Sequence, residues 1–240
     1  MESTPEKSKH KGSIAAAAIA AALVPGLIAL GISVWDDRKY YLVSLLIIIA
    51  SMVPFALRFE RRRPRARELV VLAVLIALGV AGRAAFYMLP QFKPAVAIAM
   101  IAGIALGAES GFITGAMIAF VSNFMFGQGP WTPWQMEAMG LMGLLAGLLF
   151  YNKEGRMPGT VPLVIFGALG TFFVYGLIVD TSTVFTVYGT FTWKHALAAY
   201  IAGIKPNLVH AAATVTFLLL LAKPLLKKLE RVRVKYGLGE

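Results

Sequence analysis

Eight apolar runs organise the chain: Ile14–Val34, Tyr41–Leu57, Leu69–Leu89, Ala95–Ala108, Gly111–Phe126, Trp134–Tyr151, Val161–Val179 and Pro206–Ala222. A backbone crossing lipid must satisfy its own hydrogen bonds, so each run is read as a helix. Some are short against the roughly 20 residues that a full span needs. Only Glu109 and Ser110 separate the fourth run from the fifth, which predicts a tight helical hairpin. The stretch from Asp180 to Lys205 breaks the pattern. Its first part, "DTSTVFTVYGTFTW", is rich in threonine, aromatics and β-branched residues, which favours extended structure. "KHALAAYIAGI" is expected as a short helix, and Pro206 suits the first turn of the last one. Residues 180–205 are therefore expected as a cap at one end of the bundle. The alternative is a broken transmembrane helix with Lys205 buried at a cost.

Polar segments divide the chain further. Residues 1–13 read as a retained, polar, basic tail with no cleavage site after a short apolar core. Residues 14–57 form an accessory hairpin, and 58–67 a basic linker, "RFERRRPRAR", interrupted by Pro64. Residues 68–222 form a six-helix core, and 223–240 a second basic tail. The expected fold is thus all-α and membrane-embedded, with eight transmembrane helices.

Composition supports this reading. Hydrophobic residues make up 58% of the 240 and charged residues 15%, against about 25% in soluble domains. The absence of cysteine excludes disulfides and thiolate metal sites. The net charge of +11 does not imply nucleic acid, because the basic residues gather at the ends of the runs. Six arginines lie in the linker and six basic residues between Lys223 and Lys235. Alternate loops carry only Arg38, Lys39, Lys93 and Lys194. This asymmetry predicts a multi-pass protein of a prokaryotic plasma membrane with both termini cytoplasmic. The "GQGPWTPWQM" turn, Gly127–Met136, then faces outward.

Polar and aromatic residues concentrate near that turn. Arg83, Tyr87, Gln91 and Phe92 close the third run, and Asn123 and Phe126 the fifth. Gln128, Trp131, Trp134 and Gln135 follow; Tyr188, Trp193 and His195 belong to the expected cap, and Asn207 and His210 open the last run. Any one of these aromatics fits a plain interfacial belt. Pro130 and Pro133 lock the backbone, which a belt does not need, so the group reads as a cavity wall. Arg83 either snorkels to headgroups or donates inside a wet cavity, with Glu137 as a possible ion-pair partner. Two histidines are too few for a closed metal site.

Small residues recur at every fourth position: Ala73, Ala77, Ala81 and Ala85; Gly103, Gly107, Gly111 and Gly115; Gly143 and Gly147. Such rows let helices approach closely in lipid. The glycines read as internal packing, the alanines as packing or as a partner surface. No phosphate-binding loop, nucleophile elbow or intramembrane proton relay is present, so the chain is read as neither an ATPase nor another enzyme.

From Glu68 to Tyr236 the chain resembles the substrate-binding (S) component of energy-coupling factor (ECF) vitamin transporters. The resemblance rests on "ELVVLAVLIALGVAGRAAFYMLPQFKP", "GAESGFITGAMIAFVSNFMFGQGPWTPWQM" and "KPNLVHAAATVTFLLLLAKPLLKKLERVRVKYG". The Gly-Gln-Gly-Pro-Trp-Thr-Pro-Trp-Gln loop is similar to that of cobalamin-type members. The resemblance implies capture of a vitamin, here cobalamin or cobinamide, in an outward-open cavity. It also implies docking on an ECF transmembrane coupling protein driven by two ATPase subunits. The family's Ala-x-x-x-Ala docking motif matches Ala73 and Ala77, with Ala81 continuing the row. The polar and aromatic residues near the turn that are expected to bind it are Arg83, Tyr87, Phe92, Asn123, Gln128, Trp131, Trp134, Gln135, Tyr188, Trp193, Asn207 and His210. Another small vitamin such as riboflavin or biotin, or a ligand-free membrane scaffold, are the alternatives.

Overall fold

The computed structural model describes residues 66–152 and 154–237, together with positions 49, 50, 52, 53, 57, 59 and 60. The accessory hairpin at 14–57 otherwise lies outside the described residues, so six of the eight expected helices can be placed. They are α1 (Ala66–Ala85), α2 (Ala95–Leu106), α3 (Ala108–Phe126), α4 (Thr132–Phe150), α5 (Thr160–Tyr188) and α6 (Trp193–Tyr236). No strand occurs among the described residues. Four of these helices, α1, α3, α5 and α6, are long and apolar enough to cross a membrane. The described residues are thus all-helical and consistent with an integral membrane protein.

Helix α2 sits at the centre. It is only 12 residues long, and every one of them is buried. A helix covered on all sides has no need of a polar face, which is why "AVAIAMIAGIAL" is uniformly apolar. Helices α3 and α4 pack closely against it, and α1 and α6 also touch it. The turn between α2 and α3 falls at Gly107, two residues before the expected Glu109 and Ser110. Gly107 has φ = 100°, a conformation that residues with a Cβ rarely adopt, so a single glycine reverses the chain.

The glycine rows pack backbone on backbone, as their spacing predicted. A Cβ on Gly103 or Gly111 would overlap the carbonyl of Gly143, and one on Gly147 would lie 2.6 Å from the Ala108 Cα. The alanine row behaves differently. The inward stripe of α1 is Glu68, Leu72, Leu75, Gly79 and Arg83. Ala73, Ala77, Ala81 and Ala85 lie on the opposite side and are exposed, beside exposed Val70, Val74 and Leu78.

The expected cap is corrected. Residues 180–188 continue α5 and residues 193–205 begin α6, so the last helix starts at Trp193 rather than Pro206. Extended structure does not form because the hydroxyls bond back onto the helix. Thr181 donates to the Leu177 carbonyl at 2.7 Å, Ser182 to Val179 at 2.7 Å and Thr186 to Ser182 at 2.8 Å. Where water is scarce, these bonds outweigh the weak helix propensity of the residues. Pro206 and Pro224 lie inside α6 without ending it, and Lys205 lies on the surface of that helix rather than inside the bundle. At 44 residues α6 is about 66 Å long and exceeds the bilayer. Its end absorbs most of the expected basic tail. Arg233 anchors that end, donating to the Asn152 carbonyl at 3.0 Å and to Glu230 at 3.0 Å.

Two turns of α5, Gly170–Tyr175 and Val184–Tyr188, are π-helical. Such turns shift the register of every side chain beyond them and recur at functional sites. The first brings Tyr175 against His210, and the second brings Phe185 against Trp134.

Candidate functional site

The Trp–Pro turn is built residue by residue. Gly127 ends α3 at φ = 97°. The Trp131 ring lies over Gly129, where a Cβ would strike it. Thr132 accepts from the Gly129 N–H at 3.2 Å and from Asn123 Nδ2 at 3.1 Å, which ties the turn to α3. Pro133 stands in the first turn of α4, where its missing N–H costs nothing. Trp134, only 2% exposed, then enters the bundle and stacks on Phe185 with ring centroids 5.8 Å apart and planes 19° apart.

Asn123 is the hub of a buried network. It donates to Gln135 at 2.9 Å and accepts from Arg83 Nη1 at 3.3 Å. Arg83 Nη1 also donates to Ser122, and the guanidinium lies 4.8 Å from the Phe126 ring centroid. Arg83 is 8% exposed, so it does not snorkel. Among the described residues its bonds all run from Nη1, which leaves Nε and Nη2 for another acceptor.

The remaining predicted residues fall into three groups. Tyr87 lies against Phe126 at 5.3 Å, and Phe92 against Phe217 at 5.5 Å, so both flank the Arg83 cluster. Lys93 holds the loop between them, donating to the carbonyls of Phe86 and Leu89 at 2.8 Å each. Burial and, secondarily, the Arg83 guanidinium lower the Lys93 pKa. Asn207 and His210 face α5: Asn207 donates to Asp180 at 2.7 Å, and the His210 ring lies 4.9 Å from that of Tyr175. The others are peripheral. Gln128 donates to the Phe120 carbonyl at the exposed edge of the turn. Tyr188 stacks on His195 at 4.6 Å, and Trp193 is 82% exposed. Trp131 is 40% exposed, so the turn shows one indole at its surface and buries the other.

Sequence reasoning missed Ser122, Thr132, Tyr175 and Asp180. Asp180 carried a usable signal: a lone acid preceded by "GLIV", read as the start of a cap when it lies within α5 and bonds to Asn207 of α6.

Residues 65–231 match the family model described as the ECF-type riboflavin transporter, S component. Among curated proteins, the folate transporter FolT of Streptococcus mutans is 29% identical over 133 residues, covering 51% of this chain and 72% of its own length. No solved structure gave a significant match. Neither comparison names a corrinoid, so the cobalamin-type assignment drawn from the Trp–Pro loop is not supported. The structure accounts for that loop by packing, since Thr132, Trp134 and Gln135 are all engaged within the bundle. A match across most of the chain, on a six-helix bundle with this buried polar hub, places the protein in the S-component family of ECF-type vitamin transporters.

Proposed function

We propose that this S component captures a small vitamin carrying a planar fused heterocycle, of the flavin or pterin class, at the Trp–Pro end of the bundle. The observation that carries this reading is the buried Arg83–Asn123–Gln135 network, with spare guanidinium donors, in a bundle end lined by flat rings. Ring carbonyls of such a vitamin suit those donors, and stacking suits its plane. Riboflavin and folate, the vitamins named by the matching family and the relative, share this chemistry. A corrinoid, cobalamin or cobinamide, is the competing ligand, and a ligand-free scaffold the competing class. Tyr87, Phe92, Gln128, Trp131, Tyr188 and Trp193 complete the proposed mouth, and His210 and Asn207 its floor.

The test is titration calorimetry of the purified chain with riboflavin, folate and cobinamide, beside mass spectrometry of whatever co-purifies. Nanomolar binding of riboflavin or folate, around −12 kcal/mol, is expected. Binding of cobinamide alone would return the corrinoid reading, and binding of none would leave the scaffold. Arg83→Ala should weaken vitamin binding by about tenfold to a hundredfold, because a hydrogen bond to a charged group contributes about 1.5–3 kcal/mol.

Delivery is proposed to follow the family pattern, with the loaded subunit docking through Ala73, Ala77 and Ala81 on an ECF transmembrane coupling protein worked by two ATPase subunits. The exposed small-residue side of α1 supports this role. The Lys/Arg asymmetry supports a cytoplasmic location for both termini. Protease treatment of right-side-out vesicles, which should spare tags at both ends, checks that topology.

A further inference from the structure

Arg83 and Asp180 are opposite charges buried in the same half of the bundle, and they are not paired with each other. Arg83 bonds to the neutral Ser122 and Asn123. Asp180, 8% exposed, has Asn207 Nδ2 as its hydrogen-bond partner, at 2.7 Å on Oδ2. No ion pair joins either of them to another of the described residues.

The packing around Asp180 is built to hold it there. A Cβ at Gly203 would overlap its carboxylate, and a Cβ at Gly176 would overlap the Asn207 amide. Two glycines thus make room for this pair between α5 and α6. A carboxylate within a membrane helix is costly unless something uses it. Asn207 occupies one oxygen, and Oδ1 has no donor among the described residues.

We propose that Asp180 is a specificity-determining residue of the vitamin site, accepting a hydrogen bond from a ring N–H of the ligand. Resting on the reading above, this narrows the ligand to heterocycles that present a ring N–H, as the imide-type N3–H does in flavins and pterins. A site that hydrogen-bonds a donor strongly rejects an analogue lacking it, because its buried acceptor is then left unpaired.

The experiment compares riboflavin with 3-methylriboflavin, and folate with its 3-methyl derivative, on the purified full chain and on Asp180→Asn. The asparagine keeps an oxygen to accept from Asn207 and turns an amide N–H donor toward the ligand. Wild type is expected to bind the unmethylated vitamin at least tenfold more tightly than the methylated one. Asp180→Asn should weaken binding of the unmethylated vitamin at least tenfold and leave the methylated one within threefold. Equal affinities of wild type for the two forms, or an unchanged affinity in Asp180→Asn, overturns the role of Asp180 while leaving vitamin capture intact. Binding of neither riboflavin nor folate by wild type overturns the ligand reading and this inference with it. Should Asp180→Asn not survive in detergent, equal wild-type affinities for the two forms still overturn the role.

Discussion

Gly143→Leu should abolish a stable bundle: little monodisperse protein in detergent, and a thermal midpoint far below wild type by scanning fluorimetry. Gly143 lies where α4 crosses both α2 and α3. A Cβ there meets the backbone of Gly111, and its own carbonyl occupies the space that side chains at Gly103 and Gly111 would need. The obstacle is backbone on both sides, so no rotamer change relieves it. Overpacking a core commonly costs about 1–3 kcal/mol even where side chains can move. Here helix axes must separate, and the loss should exceed that range against a total stability of about 5–15 kcal/mol. Leu149→Ala, on the exposed side of the same helix, is the control and should change the midpoint little. A Gly143→Leu protein as stable as the control would show that α2, α3 and α4 do not pack as described.

Ala77→Leu should do the reverse, leaving the fold and vitamin binding intact and abolishing ATP-driven uptake. Ala77 is exposed on α1, opposite the buried stripe that ends at Arg83, so a larger side chain meets no part of the described bundle. Its effect on stability should stay within about 0.5 kcal/mol. Close approach of a partner helix needs small residues, and a leucine forces the axes apart. Radiolabelled vitamin uptake in cells with the complete transporter, beside binding to the purified variant, reads the two properties separately. Normal uptake by Ala77→Leu would remove the alanine row from the docking surface. Loss of binding as well as uptake would mean that this side of α1 supports the site itself.

Much of the bundle was legible because membrane helices announce themselves locally. The six apolar runs from Leu69 to Ala222 correspond one for one to α1–α6, displaced at their ends. The glycine rows announced close packing, and Arg83, Asn123 and Gln135 were singled out before the network joined them. Errors gathered where composition and environment disagree. Threonines and β-branched residues after Asp180 favour strands in water, but in a membrane their hydroxyls find helix carbonyls four residues back. Proline marks a helix start in most settings, yet Pro206 sits deep within α6. The prolines of the Trp–Pro turn promised two displayed indoles, and the register of α4 took Trp134 inside.

By itself, the sequence determined that this is a membrane protein of stacked helices, that a tight hairpin joins α2 to α3, and that the glycine rows permit close contact. These properties depend on neighbours in the chain: an apolar run must satisfy its own backbone, and a glycine permits its turn whatever lies beyond. Only the tertiary structure decided that α5 and α6 run on through the expected cap, that Trp134 meets Phe185, and that Asp180 meets Asn207 across 27 residues. Those outcomes depend on the register in which separate helices pack. That register is set by π-turns and glycine contacts between elements distant in the chain, which no local period of apolar residues encodes.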